Sequence, residues 1–391
     1  MKPLIIVGAG MAGYTLAREV RKLDRERALL VITADGGDFY SKPMLSNAFA
    51  QGKDAAQLVS QSATQMAAQL GASILTRTTV EAIDTARKTV KTSAGEFEYE
   101  QLVLAVGAQP VRLALNGNAS EEVVSVNHMD DYAGWRARML PFGERVRITI
   151  IGAGLIGCEF ADDLSGAGHL VTLVDPNPLP LSALAPPALA RGLASALQAR
   201  GVVLRSGVTA QRIERASSSL QVHLSDGQVQ DADLVLSAVG LRADLRLARE
   251  SGLQTGRGIT IDRHGMTSAP DVYALGDCAE YCNGDAQVCL PYIAPLMSAA
   301  RAIARTLSGT PTAIDMKPTP VIVKTPSYPL ALLPPPLGLI GHWETAQDGA
   351  RTVSRFVDAV GAVHGFGVAP QDAPSRQALM AELGKPVVMA A

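Results

Sequence analysis

Gly8-Ala9-Gly10-Met11-Ala12-Gly13 follows the apolar run Leu4-Ile5-Ile6-Val7 and opens a stretch in which Leu16, Val20 and Leu23 recur at helical spacing. The same arrangement returns in mid-chain. Gly152-Ala153-Gly154-Leu155-Ile156-Gly157 follows Ile148-Thr149-Ile150-Ile151 and precedes Ile156, Phe160 and Leu164. Between a strand and a helix, such glycines let the backbone approach a pyrophosphate, while the helix N-terminus offers unpaired N–H groups and a positive dipole. One match of this kind says little. Two in the same context imply two dinucleotides, and the simplest use of two is to pass electrons between them.

Working outward, strand 4–7, helix 12–23 and strand 28–33 read as a βαβ unit. The loop Asp38-Phe39-Tyr40-Ser41-Lys42-Pro43-Met44-Leu45 mixes turn formers with a lysine and two aromatics. Alternation at 79–83, with the pair 89–91 and 97–99 around Ala94-Gly95, predicts a small antiparallel sheet. Leu102 to Gly107 reads as a buried strand ending in glycine. The middle third repeats the programme: strand 148–151, glycines, helix, strand 170–174, a helix around 184–199, a hairpin about Asp226-Gly227, and a closing strand 234–240. This is an internal duplication of architecture. Val272 to Asp277 reads as a strand ending in an acid, followed by helix 293–307. Seven prolines between 318 and 336 mark a change of domain with edge-type strands, and residues 343–368 predict an antiparallel sheet followed by a short helix.

At 391 residues the chain exceeds one core, and two or three domains are expected. A net charge of −2 gives no reason to expect nucleic acid or an anionic membrane as partner. No run of 18 apolar residues occurs, and a strand begins within three residues of Met1, so neither a membrane span nor a signal peptide is expected and the setting is read as cytoplasmic. The four cysteines, Cys158, Cys278, Cys282 and Cys289, form no C-x-x-C pair, and no metal site is expected. They read as buried thiols.

Together with the paired fingerprints, the Ala-x-Gly ends at 105–107 and 238–240 and the run Tyr273-Ala274-Leu275-Gly276-Asp277 resemble the two-dinucleotide-binding flavoprotein reductases. Tyr40-Ser41-Lys42-Pro43-Met44-Leu45-Ser46, Cys158-Glu159-Phe160 and Val323-Lys324-Thr325-Pro326 look like the bacterial rubredoxin–NAD reductases within that family. The resemblance covers essentially the whole chain. It implies an α/β fold of two Rossmann-like dinucleotide-binding domains, an FAD domain interrupted by an NAD domain, plus a small α+β C-terminal domain. The implied divisions are 1–110 and 243–316 for FAD, 111–242 for NAD(H), and 317–391 for the C-terminal domain. Disulfide-using relatives carry cysteines in the loop after the second strand. Here that loop reads Leu45-Ser46-Asn47, without a thiol nucleophile.

The resemblance also implies the site. Gly8, Ala9, Gly10, Met11, Ala12 and Gly13 would hold the FAD pyrophosphate, with the backbone of Thr33 and Ala34, or the carboxylate of Asp35, at the ribose and Val80 at the adenine. Asp277 would accept hydrogen bonds from the ribitol. The N-terminus of the helix opened by Ile293 would face the flavin pyrimidine edge, where the dipole favours the reduced, anionic ring. Lys42 and Glu159 would pair beside the flavin and orient the nicotinamide, as the catalytic pair, and Lys324 would contact the flavin. Gly152, Gly154 and Gly157 would bind NADH. Asp175 ends its strand 23 residues beyond Gly152, where an acid accepts from a ribose 2′-hydroxyl and repels a 2′-phosphate. The implied partner is rubredoxin, an acidic iron protein, met by basic residues drawn from Lys42, Lys317, Lys324, Arg301 and Arg305, on a monomer. Two alternatives stay open: a ferredoxin reductase of an oxygenase system, and an NADH-sensing flavoprotein without turnover.

Overall fold

The computed structural model describes residues 2–283 and 286–386, and these divide into two compact units. The first comprises Met1–Lys42, Ala55–Val111 and Leu241–Lys317. At its centre is a five-stranded sheet in the order Val272–Ala274, Gln101–Leu104, Leu4–Val7, Leu29–Ile32, Ser73–Leu75. Every pairing is parallel. Leu4–Val7 and Leu29–Ile32 are buried at every position, as a parallel sheet covered on both faces requires. Helices Met11–Leu23 and Ile293–Leu307 pack against each other over this sheet. Helix Ala63–Leu70 starts with a Ser62/Gln65 capping box and stops at Gly71 in the left-handed conformation. Val80–Asp84, Thr89–Thr92 and Gly95–Glu98 form the expected antiparallel sheet of three strands.

The second unit comprises Pro43–Asp54, Arg112–Gly240 and Pro318–Ala391. It repeats the parallel plan in the order Val203–Ser206, Leu170–Asp175, Arg147–Ile151, Leu234–Ser237. Helices Leu155–Gly166 and Pro187–Ala199 connect these strands, and Ala210–Ala216, Ser219–Leu224 and Val229–Ala232 form an antiparallel sheet. The C-terminal segment adds a five-stranded antiparallel sheet, Val321–Val323, Leu330–Leu333, Val363–Ala369, Arg351–Val357, His342–Asp348, closed by helix Ala373–Glu382. One expectation is corrected here. The proline-rich stretch does supply an edge strand, Val321–Val323, but Leu330–Leu333 is an interior, fully buried strand. Its prolines, Pro329 and Pro334, fall just outside it, where no ladder N–H is needed.

Helix Pro187–Ala199 packs on the C-terminal sheet, and small residues set how closely. A Cβ on Gly192 would fall onto the Tyr328 hydroxyl, and one on Gly367 would press on Leu189 and Pro186. Among the described residues, no helix is long and apolar enough to cross a membrane.

Candidate functional site

Both glycine fingerprints are built alike. Gly8 and Gly152 have φ of +111° and +105°, which glycine adopts at no steric cost. Cβ atoms at Gly13 and Gly157 would fall onto the carbonyl oxygens of Gly8 and Gly152, so helix and strand are in contact at these points. Gly10 and Gly154 differ: a Cβ on either would meet nothing within 4 Å. Each is the N-cap of its helix, neither helix has a side-chain cap, and neither has an acid in its first turn. No side-chain cap takes the N-terminal N–H groups of either helix, and the space beside Gly10 and Gly154 is open among the described residues, an arrangement that suits a pyrophosphate.

In the first unit, Thr33 is buried and its hydroxyl donates to Asp35 Oδ1 at 2.7 Å. The Gly37 N–H donates to the same oxygen at 2.9 Å, so Asp35 is held at the end of its strand, beside the exposed Ala34. Val80 opens its strand at a bulge opposite Thr92. Asp277 follows Gly276, whose N–H donates to the Tyr281 hydroxyl at 2.8 Å. Burial pushes the Asp277 carboxyl above its ordinary value, and the nearby Lys42 ammonium pulls it back down. Helix Ile293–Leu307 begins at Tyr292 without a side-chain cap or an acid in its first turn, and Ile293 is half exposed. An open positive helix end of this kind fits an anion.

In the second unit, Asp175 is stapled to its own fingerprint. The Ala153 N–H donates to Oδ2 at 2.6 Å, and the Asn177 backbone and side-chain amides donate to Oδ1 at 2.8 and 2.9 Å. The carboxylate is thereby fixed at the mouth of the second glycine turn.

Helix Leu155–Gly166 buries three carboxylates, Glu159, Asp162 and Asp163, at 3 %, 0 % and 3 % exposure. Spacings of three and four residues place them on one face. Glu159 Oε2 accepts from the Ser46 hydroxyl at 2.6 Å and from the Lys324 ammonium, while Oε1 accepts the Lys324 backbone N–H at 3.0 Å. The Lys324 ammonium also donates to Ser46 Oγ at 3.0 Å and to the Pro43 carbonyl at 2.7 Å. Asp163 accepts the Phe49 and Ala50 N–H groups at 2.8 and 3.0 Å, and Asp162 accepts the Ser327 N–H at 3.2 Å with Arg200 alongside. Lys324, which the resemblance set at the flavin, thus donates to Glu159 through both its ammonium and its backbone N–H. Asp162 and Asp163 were not singled out from the sequence. Their signal was present: two adjacent acids near the middle of a helix set between two apolar strands.

Neither buried thiol has thiolate character. Burial raises the Cys158 pKa strongly and pushes that of Cys278 up to about 11. Residue 46 offers a hydroxyl, not a thiol.

Residues 2–306 match the pyridine nucleotide-disulphide oxidoreductase model, and residues 313–383 match a rubredoxin binding C-terminal domain. The chain is 41% identical over 372 residues to a rubredoxin-NAD(+) reductase of Acinetobacter baylyi, covering 94% of this chain and 93% of that one. It is 41% identical over 394 residues to the rubredoxin-NAD(+) reductase of Alcanivorax borkumensis, covering both in full. Among solved structures, the ferredoxin reductase for the CYP199A2 system from Rhodopseudomonas palustris superposes with a TM-score of 0.86 at 25% identity, over 94% of this chain and 91% of that one. With two uncapped glycine cradles and a model match over more than half its length, this chain belongs to the pyridine nucleotide-disulphide oxidoreductase family.

Proposed function

We propose that this protein is an FAD-dependent reductase that takes a hydride from NADH and delivers electrons singly to rubredoxin. One NADH and two oxidised rubredoxins give NAD⁺, two reduced rubredoxins and one proton. The observation that carries the reading is the pair of uncapped, acid-free helix N-termini at Gly10 and Gly154, in a chain whose residues 313–383 match a rubredoxin binding domain. The relatives that match over nearly the full length carry the corresponding name.

Bound FAD supplies the conversion between a two-electron donor and a one-electron acceptor. The chain's own residues do the rest. The N–H groups after Gly10 hold the FAD pyrophosphate against the Gly8 turn, with Asp35 and the Thr33–Ala34 backbone at the ribose and Val80 at the adenine. Asp277 accepts from the ribitol hydroxyls; burial raises its carboxyl pKa, and the Lys42 ammonium opposes that rise. The uncapped N-terminus of helix Ile293–Leu307 would favour negative charge on a flavin ring held there. The cradle at Gly152, Gly154 and Gly157 binds NADH, and Asp175 selects it by accepting from the 2′-hydroxyl. Glu159 fixes Lys324 and Ser46 in place, and orientation rather than acid–base chemistry speeds the transfer. We place the reaction in the cytoplasm, where NADH is available.

The test is anaerobic stopped-flow absorbance. The yellow protein should bleach rapidly with NADH, much more slowly with NADPH, and then reduce rubredoxin. Bleaching without delivery to rubredoxin, but with delivery to a [2Fe–2S] ferredoxin, moves the acceptor to the ferredoxin class. A colourless protein overturns the reading.

A further inference from the structure

Among the described residues, five other than glycine have a positive φ, Arg77, Lys88, Leu181, Ser217 and Asp271, and of these only Leu181 is buried, at 2 % exposure. Its φ of +55° puts a bulky apolar residue where a Cβ is rarely tolerated. Both of its backbone polar groups are engaged. The N–H donates to the Ala153 carbonyl at 2.8 Å, and the carbonyl accepts from the Leu184 and Ala185 N–H groups, both at 2.8 Å. The left-handed turn at Leu181 thus reaches back to the middle residue of Gly152-Ala153-Gly154.

Ala153 is gripped on both sides. Its N–H donates to Asp175 Oδ2 at 2.6 Å, and its carbonyl accepts from the Leu181 N–H and from Cys158 Sγ, the latter at 3.3 Å. Burial keeps Cys158 a thiol, with a hydrogen to donate. A peptide group is planar, and its carbonyl and the following N–H point opposite ways. Holding the Ala153 carbonyl therefore aims the Gly154 N–H away from Leu181 and Cys158, at the residue that caps helix Leu155–Gly166 beside open space. The first fingerprint is built differently. Tyr14 stands five residues after Ala9, as Cys158 stands five after Ala153, yet the Tyr14 hydroxyl donates to the Gly37 carbonyl. Asp35, near the end of its strand, accepts from Thr33 and Gly37.

We infer that Leu181 and Cys158 are positioning residues that keep the second glycine cradle formed while it is empty. This rests on the reading of that cradle as the NADH site. A resident cofactor such as FAD stays in place and helps to hold its own cradle, whereas NADH enters and NAD⁺ leaves in every cycle. A site that empties each cycle binds in proportion to the fraction of molecules in which it is formed. A brace supplied by the protein therefore raises affinity without touching the coenzyme. The conformation of Leu181 fits this role. A bulky residue keeps a left-handed turn only where its surroundings over-determine it, and here those surroundings are the fingerprint itself.

The experiment follows flavin bleaching by NADH in anaerobic stopped flow, with melting temperature alongside, on the wild-type holoenzyme and four variants. Leu181→Ile keeps the side-chain volume but adds a branch at Cβ that opposes a positive φ, whereas Leu181→Met keeps the volume without the branch. Cys158→Ala removes the thiol donor, and Cys158→Ser puts a donor back. The NADH concentration giving half the maximal rate should rise about 10-fold in Leu181→Ile and about 3-fold in Cys158→Ala, and stay within about 2-fold of wild type in Leu181→Met and Cys158→Ser. The limiting rate at saturating NADH and the FAD content should match wild type, because bound coenzyme re-forms the cradle. Unchanged half-saturation in Leu181→Ile and Cys158→Ala, with melting temperature alone lowered, reduces both residues to packing and overturns the inference, leaving the NADH reading intact. An equal rise in all four variants also overturns it, since lost packing then accounts for the effect. Should Leu181→Ile not fold, the two Cys158 variants decide by the same criteria. A wild-type flavin that NADH does not bleach overturns the underlying reading and the inference together.

Discussion

Glu159 and Lys324 stand 165 residues apart and are joined twice, ammonium to Oε2 and backbone N–H to Oε1. Breaking a buried pair strands the surviving charge, at a cost of about 3–5 kcal/mol, and the remaining Ser46 and backbone donors hold the expected loss near ~3 kcal/mol. Lys324→Met should therefore destabilise the second unit strongly, and Glu159→Gln/Lys324→Met should recover most of the loss. Both tryptophans, Trp135 and Trp343, lie in this unit, so urea unfolding followed by tryptophan fluorescence reads it selectively. A Lys324→Met protein as stable as wild type contradicts the interlock.

Asp163 provides a pH signature. Burial raises its carboxyl pKa above the ordinary value of 3.8, and the N–H groups of Ala50 and Phe49 pull it partly back. An acid whose folded pKa is raised binds its proton more tightly folded than unfolded. Its contribution to stability is thus greatest below the ordinary carboxylate range, and falls as pH rises from there through the raised value. The stability difference between wild type and Asp163→Asn should slope downward across that window, by no more than about 1.4 kcal/mol per pH unit, and flatten above it. Parallel profiles for the two proteins, measured by urea unfolding from pH 3.5 to 7.5, would remove Asp163 from the balance.

The glycines separate packing from binding. Gly13→Ala and Gly157→Ala press a methyl group onto a backbone carbonyl. The first should abolish flavin retention, and the second should weaken NADH binding while the protein stays yellow. Gly154→Ala meets no protein atom within 4 Å, so its melting temperature should stay within about 2 °C of wild type while KM for NADH rises at least 10-fold. Unchanged KM in Gly154→Ala would mean that the open space at this helix end is not the nucleotide's.

Asp175→Asn tests coenzyme choice. At an effective dielectric near 20 a carboxylate repels a phosphate charge 4 Å away by about 4 kcal/mol, and a third of that is roughly tenfold in preference. The ratio of kcat/KM for NADPH over NADH should rise by about that factor. An unchanged ratio would reduce Asp175 to a brace for the Ala153 N–H.

The interior parallel strands, the two fingerprint helices and helix 293–307 were legible because burial on both faces leaves continuous apolar runs and because glycine has few other reasons to sit where it does; the edge strands Ser73–Leu75 and Val203–Ser206, only partly buried, were not. Helices Ala63–Leu70 and Met129–Met139 were not: the first is short and Ala/Gln-rich, and the second carries two acids and two arginines that blur its apolar stripe. The acidic face of Leu155–Gly166 was read only at Glu159, because a sequence gives charge but not the donors that make burial tolerable. Those donors, the N–H groups of Phe49, Ala50, Lys324 and Ser327, are backbone atoms brought in by two remote segments.

The latch also bears on how the protein is made. Synthesis runs from the N-terminus at roughly 5–20 residues per second. Helix Leu155–Gly166 leaves the ribosome well before residues 324–327, so for about 10–30 seconds Glu159 and Asp162 have neither Lys324 nor the Ser327 N–H. Until those arrive, the carboxylates must stay in water and the helix cannot settle into its final burial. The first unit waits too, since Val272–Ala274 reaches its sheet only after residues 112–240 have been translated. A nascent chain halted before residue 318 should therefore hold a largely complete first unit and an open, protease-sensitive second one.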